Sequence, residues 1–303
     1  MTSSMAVVIA GPTASGKSRL AVALAEACGG TVINADAMQV YRDLAVVTAR
    51  PSPADEAAVP HTLFGHVDGA EAHSVAAWLS GAEAAIAAAR AAGRPPVVVG
   101  GTGLYLAALT EGLSPIPPVP DAVRDHWRAR QGAEDPAALH AELARRDAAM
   151  AARLRPSDPQ RIVRALEVID ATGRSLADWQ AERSTPILPA AGTTAIVIAP
   201  ERAALRAQIA ERFDAMMTEG AREEVAALAR RGLDPALPVM KAIGVPPLMA
   251  LERGEIAEAE AVARAITESR QYAKRQETWF RHRFPDWRRF PTADEAIAAL
   301  VRA

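Results

Sequence analysis

One stretch constrains this chain more than any other: IAGPTASGKSRL, residues 9–20, with Gly11, four residues, then Gly16-Lys17-Ser18. The apolar run AVVIA (6–10) precedes it and SRLAVALAEAC (18–28) follows with helical periodicity, giving strand, loop, helix. In that setting Gly11, Pro12, Thr13, Ala14, Ser15, Gly16, Lys17 and Ser18 form a cradle for a polyphosphate. The glycines let backbone N–H groups turn inward, and the helix opening near Gly16 adds the positive end of its dipole. Lys17 supplies a point charge to the outer phosphates, and the Ser18 hydroxyl is a ligand for Mg2+. Such loops are associated with ATP or another nucleotide, so the open question is which phosphates are held, and for what reaction.

TVINA (31–35) and PPVVVGG (95–101) read as further strands, with the Ala-rich helix SVAAWLSGAEAAIAAARAAG between them. Buried strands alternating with helices predict a parallel α/β sheet covered on both faces, a P-loop NTPase-like core. After Gly112 the proline-rich SPIPPVPD breaks the pattern, and polar helical stretches follow to about Gln180 before TTAIVIAP (193–200) returns to strand character. The expected organisation is a catalytic core from residues 1–113 and 191–303, with a helical insertion over 114–190. A chain of 303 residues, half of them apolar, is long enough for that core.

Several classes fall away. Cys28 is the only cysteine, which excludes an internal disulfide framework, and the six histidines never pair at zinc-ligand spacing. The opening MTSSM has no basic segment and AVVIAG is too short for a signal core or a membrane span, so a soluble cytoplasmic protein without membrane partners is expected. The formal net charge of -2 gives no global sign of a nucleic-acid binder. Locally it is otherwise: residues 264–289 carry eight Arg or Lys against three acids, interleaved with Tyr272, Trp279, Phe280, Phe284 and Trp287. The cations suit RNA phosphates, and the aromatics suit either base stacking or a core.

An ATPase needs an apolar strand ending in Asp, but VVVGG ends in glycine. The acid that does follow a strand is Asp36, in TVINADAMQVYRDL. It can ligate magnesium, act as a general base beside the phosphates, or cap a helix. Thr102, in GGTGLY, lies at the C-terminal end of a predicted parallel strand, where ligands of α/β sheets collect, or else caps a helix after a tight turn.

GPTASGKS, NADAMQVYR, VVVGGTGLYLAALTEGL, DPQRIVRALEV and RQYAKRQETWFR, in this order and at these separations, resemble the tRNA dimethylallyltransferase family of the bacterial type, from the first strand to about Arg283. Ser18, Ala37 and the AIGVPP around Val245 depart from the commoner family residues; Ser18 keeps the hydroxyl. The resemblance implies that the loop holds the diphosphate of dimethylallyl diphosphate, and that the dimethylallyl group moves to N6 of the adenosine just 3′ of the anticodon. It assigns Asp36 as base, Thr13 beside the bridging oxygen, and Lys17 and Arg212 to the leaving diphosphate, with Mg2+ on Ser18 and Asp36. It implies contact with the tRNA anticodon stem-loop through Asp36, Ala37, Met38, Gln39 and Thr102, and through Arg124, Gln160, Arg161, Ile162, Val163 and Arg164 of the insertion. Lys241, Arg270, Lys274 and Arg275 complete the set. The target base must leave its stack to reach the diphosphate ester. A monomer is expected. Two alternatives stay open: an ATP-dependent small-molecule kinase, in which Asp36 activates a hydroxyl, and a nucleotide-controlled RNA-binding protein without catalysis.

Overall fold

The computed structural model describes residues 6–301. Six strands form one sheet in the order β3-β2-β4-β1-β5-β6, every neighbouring pair parallel. They are β1 (Ala6–Ala10), β2 (Thr31–Asn34), β3 (His61–Thr62), β4 (Pro96–Gly100), β5 (Thr193–Ile198) and β6 (Arg288–Phe290). The central β1 and β4 are buried at every position, which is why each reads as an unbroken apolar run.

The helices associated with the sheet in the first part of the chain are α1 (Lys17–Cys28), α2 (Pro53–Ala58), α3 (Val75–Ala91) and α4 (Gly103–Glu111). Then come α5 (Asp121–Ala133), α6 (Pro136–Arg146), α7 (Ala148–Ala151), α8 (Pro159–Thr172) and α9 (Leu176–Ala181). The chain closes with α10 (Arg202–Thr218), α11 (Ala221–Arg230), α12 (Val245–Glu252), α13 (Glu258–Arg283) and α14 (Ala293–Leu300). Alternate residues of β1 feed different cores. Val8 and Ala10 join the cluster with Trp78, Phe213 and Phe280, whereas Val7 and Ile9 join Leu20, Leu24 and Ala296 of α1 and α14. This is the P-loop NTPase-like α/β architecture.

Two compact units are present, one of residues up to Thr110 and from Ile187 onward, the other Glu111–Pro186. The second is all helix, with Trp127, Leu139, Leu143, Ile162 and Leu166 fully buried at its centre. Trp127 donates from Nε1 to Asp170 at 3.0 Å, and the guanidinium groups of Arg130 and Arg146 lie 4.8 and 5.3 Å from its ring centre.

The basic C-terminal run is divided between two elements. α13 stops at Arg283, because Phe284 precedes Pro285, which disfavours helical backbone in the residue before it. Arg288 and Arg289 belong to β6, and Arg289 turns back to donate to the carbonyls of Phe280 and Phe284 at 3.0 and 3.1 Å. That Arg closes the helix end.

Candidate active site

The loop after β1 leaves the C-terminal edge of the sheet. Gly16 has φ +82° and Ala14 φ +63°, so the loop takes two left-handed residues before α1 begins. A Cβ on Gly11 would stand 2.6 Å from Ser15 Oγ, so the first glycine is needed for the tight turn. Lys17 donates from Nζ to the Pro12 carbonyl at 3.2 Å, and Ser18 lies exposed on the first turn of α1. Both line a cavity of about 650 Å³ together with Thr13, Asp36, Gln39 and Arg212.

Asp36 is placed by the residue that ends β2. Asn34 is fully buried; its amide donates to the carbonyls of Asp36 and Leu63, both at 3.0 Å, while its Oδ1 accepts the Asp36 N–H at 2.8 Å. Trp78 donates to the Asn34 carbonyl at 2.8 Å and stacks on Tyr105 at 4.3 Å, so the strand end is anchored from below. Gly100 allows the neighbouring strand to come this close, since a Cβ there would lie 2.0 Å from the Ala35 carbonyl oxygen. Asp36 accepts the Met38 N–H on Oδ1 at 3.0 Å. It therefore caps a turn and not a helix, since no helix follows β2 before α2, and its carboxylate also lines the cavity.

A second cavity, of about 340 Å³, is lined by Ala37, Met38, Thr102, Phe213, Lys241 and Tyr272, among others. Thr13, Asp36, Thr48 and Arg212 line both cavities, so the two meet at those four residues. Arg212, on α10, donates from Nη2 to the Thr13 hydroxyl. Burial pulls the Lys17 amine down to about 8, against the opposing pull of Asp36 and with the repulsion of Arg212 adding to it. Burial lowers Arg212 as well, and again Asp36 opposes. Two desolvated cations around one carboxylate leave a positive junction, suited to a polyanion. Burial, and after it the Asp36 charge, pushes the Tyr272 phenol well above its usual range, so it stays a neutral hydroxyl on the cavity wall it shares with Thr102. Thr102 Oγ1 accepts the Ala37 N–H at 2.8 Å.

Other expected site residues are distributed more widely. Gln39 braces the adjacent loop by donating to the Thr48 and Ala49 carbonyls at 2.9 and 2.8 Å. Arg275 lies with its guanidinium 5.6 Å from the Tyr272 ring, at the second cavity. Arg270 and Lys274 are exposed on α13, and among the described residues neither has a carboxylate at ion-pair distance; Arg270 donates to the Arg206 carbonyl at 3.3 Å. In the helical unit Gln160 is exposed, Arg161 pairs with Asp158 at 3.4 Å, Arg164 with Glu167 at 3.2 Å, and Arg124 with Asp121 at 2.9 Å. Ile162 and Val163 are 0% and 4% exposed, because the apolar stripe of α8 points their side chains into the unit's core. Of the aromatic residues from 272 to 287, Phe280 and Phe284 are buried, and Trp287 stacks on Phe284 at 3.8 Å; Tyr272 is the one that lines the second cavity.

Three supporting residues escaped the sequence reading. Asn34 was legible only as part of a motif. Glu224, on α11, accepts the N–H groups of Ala45, Val46 and Val47 at 2.6, 2.9 and 2.9 Å, and so shapes the loop that carries Thr48. Gln276 accepts the Thr13 N–H and donates to the Gly101 carbonyl, both at 2.9 Å. Its signal was a polar residue in the buried stripe Ala261, Ala265, Ser269, Ala273, Gln276, Phe280. Among the described residues no cluster of three His, Cys, Asp or Glu could hold a metal, and no helix is long and apolar enough to cross a membrane.

Comparison with known proteins finds relatives along nearly the whole chain. The family model described as IPP transferase matches residues 39–283, and that described as isopentenyl transferase matches 4–59. A protein of Rhodopseudomonas palustris named tRNA dimethylallyltransferase is 56% identical over 98% of this chain and 93% of its own length. One of the same name from Methylocella silvestris is 56% identical over 97% of each. The crystal structure of a tRNA isopentenylpyrophosphate transferase from Bacillus halodurans is similar with TM-score 0.69 and 33% identity, covering 99% of this chain and 95% of that one. A eukaryotic dimethylallyltransferase, captured acting on tRNA, matches with TM-score 0.78 and 27% identity over 91% of this chain and 69% of its own.

Proposed function

The chain belongs to the IPP transferase family, and from that premise we propose that it moves a dimethylallyl group from dimethylallyl diphosphate to N6 of the adenosine 3′ of the anticodon in tRNA. It is a transferase that modifies tRNA. The observation that carries the finer reading is the junction of two cavities at Thr13, Asp36 and Arg212. One cavity runs along the phosphate loop; the other opens beside Lys241, Tyr272 and Arg275. The prenyl diphosphate enters by the first and the flipped adenosine by the second.

In the transfer the N6 nitrogen forms a bond to C1 of the allyl group as the C1–O bond breaks and diphosphate leaves. The N6 proton passes to the Asp36 carboxylate, which helps an amine of low basicity act as nucleophile. Lys17, Arg212 and the loop N–H groups stabilise the charge gathering on the departing diphosphate, and the Thr13 hydroxyl, which accepts a hydrogen bond from Arg212, is assigned to the bridging oxygen in this reading. The Ser18 hydroxyl and Asp36 carboxylate are hard oxygen donors in one cavity, too few for a closed metal cage, which fits Mg2+ completed by diphosphate oxygens and water. Bound there, Mg2+ supplies further positive charge to the leaving group.

Arg270, Lys274 and Arg275 supply the phosphate-gripping face of α13, and Arg124, Gln160, Arg161 and Arg164 of the helical unit supply anticodon-loop contacts. The chain acts as a cytoplasmic monomer. A kinase would use ATP and have no use for these cations, and the relatives' names support the transferase instead. Incubation with unmodified tRNA and labelled dimethylallyl diphosphate separates the readings: label is expected in tRNA, dependent on Mg2+, with diphosphate released. Tight tRNA binding without label would leave a non-catalytic RNA binder, and ATP turnover without label would leave a kinase.

A further inference from the structure

Gln276 is a buried amide that the transfer chemistry does not consume. It lies on α13, 5% exposed, with an acceptor and a donor at one tip. Both are engaged: Oε1 takes the N–H of Thr13, and Nε2 gives to the carbonyl of Gly101, each at 2.9 Å. One side chain thus ties the phosphate loop after β1 to the turn after β4. Gly101 is shaped for it, since a Cβ at that position would come 2.3 Å from the amide nitrogen. Thr13 is then held twice, through its backbone by Gln276 and through its hydroxyl by Arg212. On the same helix Tyr272, one turn earlier, and Arg275, the preceding residue, line the second cavity.

We propose that Gln276 is a positioning residue for the diphosphate: by pinning the Thr13 amide it keeps the loop in its binding shape before ligand arrives. An unpinned loop must be ordered by the ligand itself, which costs affinity. Because the pin stands on α13, the proposal extends to a mechanical link between the helix that grips RNA and the loop that grips diphosphate, an extension that rests on the transferase reading above. Removing the amide leaves the Thr13 N–H and the Gly101 carbonyl without partners, a larger penalty than the net value of either bond.

The test uses the full chain and two variants that break the pin from opposite sides. Gln276→Met removes both hydrogen bonds at nearly constant volume, and Gly101→Ala pushes the amide aside while residue 276 itself is unchanged. The expected result for each is a dissociation constant for inorganic diphosphate raised about tenfold, a KM for dimethylallyl diphosphate raised in parallel, and tRNA affinity within about twofold of the wild type. A purely structural role would lower the active fraction, and with it kcat, while leaving diphosphate affinity and KM unchanged; that result overturns the proposal. If Gln276→Met fails to fold, Gly101→Ala carries the same comparison. Inorganic diphosphate binding does not depend on the identity of the acceptor. A wild type that binds diphosphate yet leaves tRNA unlabelled would remove the transferase reading alone, and labelled tRNA with both variants binding diphosphate normally would remove the Gln276 proposal alone.

Discussion

Arg212 donates to the hydroxyl of Thr13 across 199 residues of sequence, and that bond marks the point where the two cavities of the site meet. The Arg comes from the middle of α10 and the Thr from the phosphate loop, so neither alone marks the reaction centre. Substituting Arg212→Ala is expected to lower kcat/KM for transfer by on the order of 10²- to 10³-fold, the usual loss of a preorganised donor aimed at developing charge. Thr13→Val, which keeps the shape and removes the hydroxyl, is expected to lose about tenfold. Steady-state assays on unmodified tRNA check both.

Lys17 gives the diphosphate site a pH dependence. Its amine titrates near 8 in the empty site, chiefly because it is buried. A bound polyanion favours the charged form, so binding takes up a proton once the pH exceeds about 8. In metal-free buffer the affinity for dimethylallyl diphosphate is expected to be level from about pH 7 to 8 and then to fall by up to about tenfold per pH unit. Lys17→Gln should bind weakly without that slope. The folded protein also carries the lowered amine against an ordinary value of 10.5 in the unfolded chain, so between about 8 and 10.5 the unfolded chain holds more protons. In this window Lys17 makes ligand-free stability rise with pH, a contribution that calorimetry of wild type against Lys17→Gln isolates.

Gly100 fixes how closely β4 approaches the end of β2. A methyl group there would meet backbone, not a flexible side-chain tip, at 2.0 Å from the Ala35 oxygen. Gly100→Ala is expected to cost about 3 kcal/mol or more in urea unfolding, since the strand itself must shift. Asp36 stands one residue after Ala35, so activity should fall beyond the loss of folded protein.

Glu224 is the strut under the loop of residues 44–50. Three backbone N–H groups converge on its carboxylate, and Val47 and Thr48 of that loop wall the second cavity. Glu224→Ala is expected to cost roughly 2 to 4 kcal/mol in thermal or urea unfolding by leaving those donors unpaired. Glu224→Gln, with one acceptor oxygen in place of two, should fall between.

The sequence made the centre of the fold legible because β1, β2 and β4 are buried on both faces and therefore read as short apolar runs bounded by glycine. It hid the edges. β3 is the two residues His61-Thr62 and β6 is Arg-Arg-Phe, segments whose strand character comes from pairing with β2 and β5 and not from side-chain pattern. At the site, Lys17, Ser18 and Asp36 were legible because each follows a strand in a recognisable motif. Gln276 and Glu224 were not, since their partners are backbone groups brought close by folding across long stretches of chain. Ile162 and Val163, named with their motif, take the core positions that the helical periodicity of α8 assigns to them.

The most direct measurement is single-turnover transfer by Asp36→Asn with prenyl diphosphate and tRNA both saturating. The change keeps the carbonyl oxygen that caps the turn at Met38 and removes the base. The account expects transfer slowed by about 10²- to 10⁴-fold, with tRNA affinity within about threefold of the wild type. Transfer at an undiminished rate, or a loss confined to tRNA binding, would contradict the assignment of Asp36 as the group that takes the N6 proton.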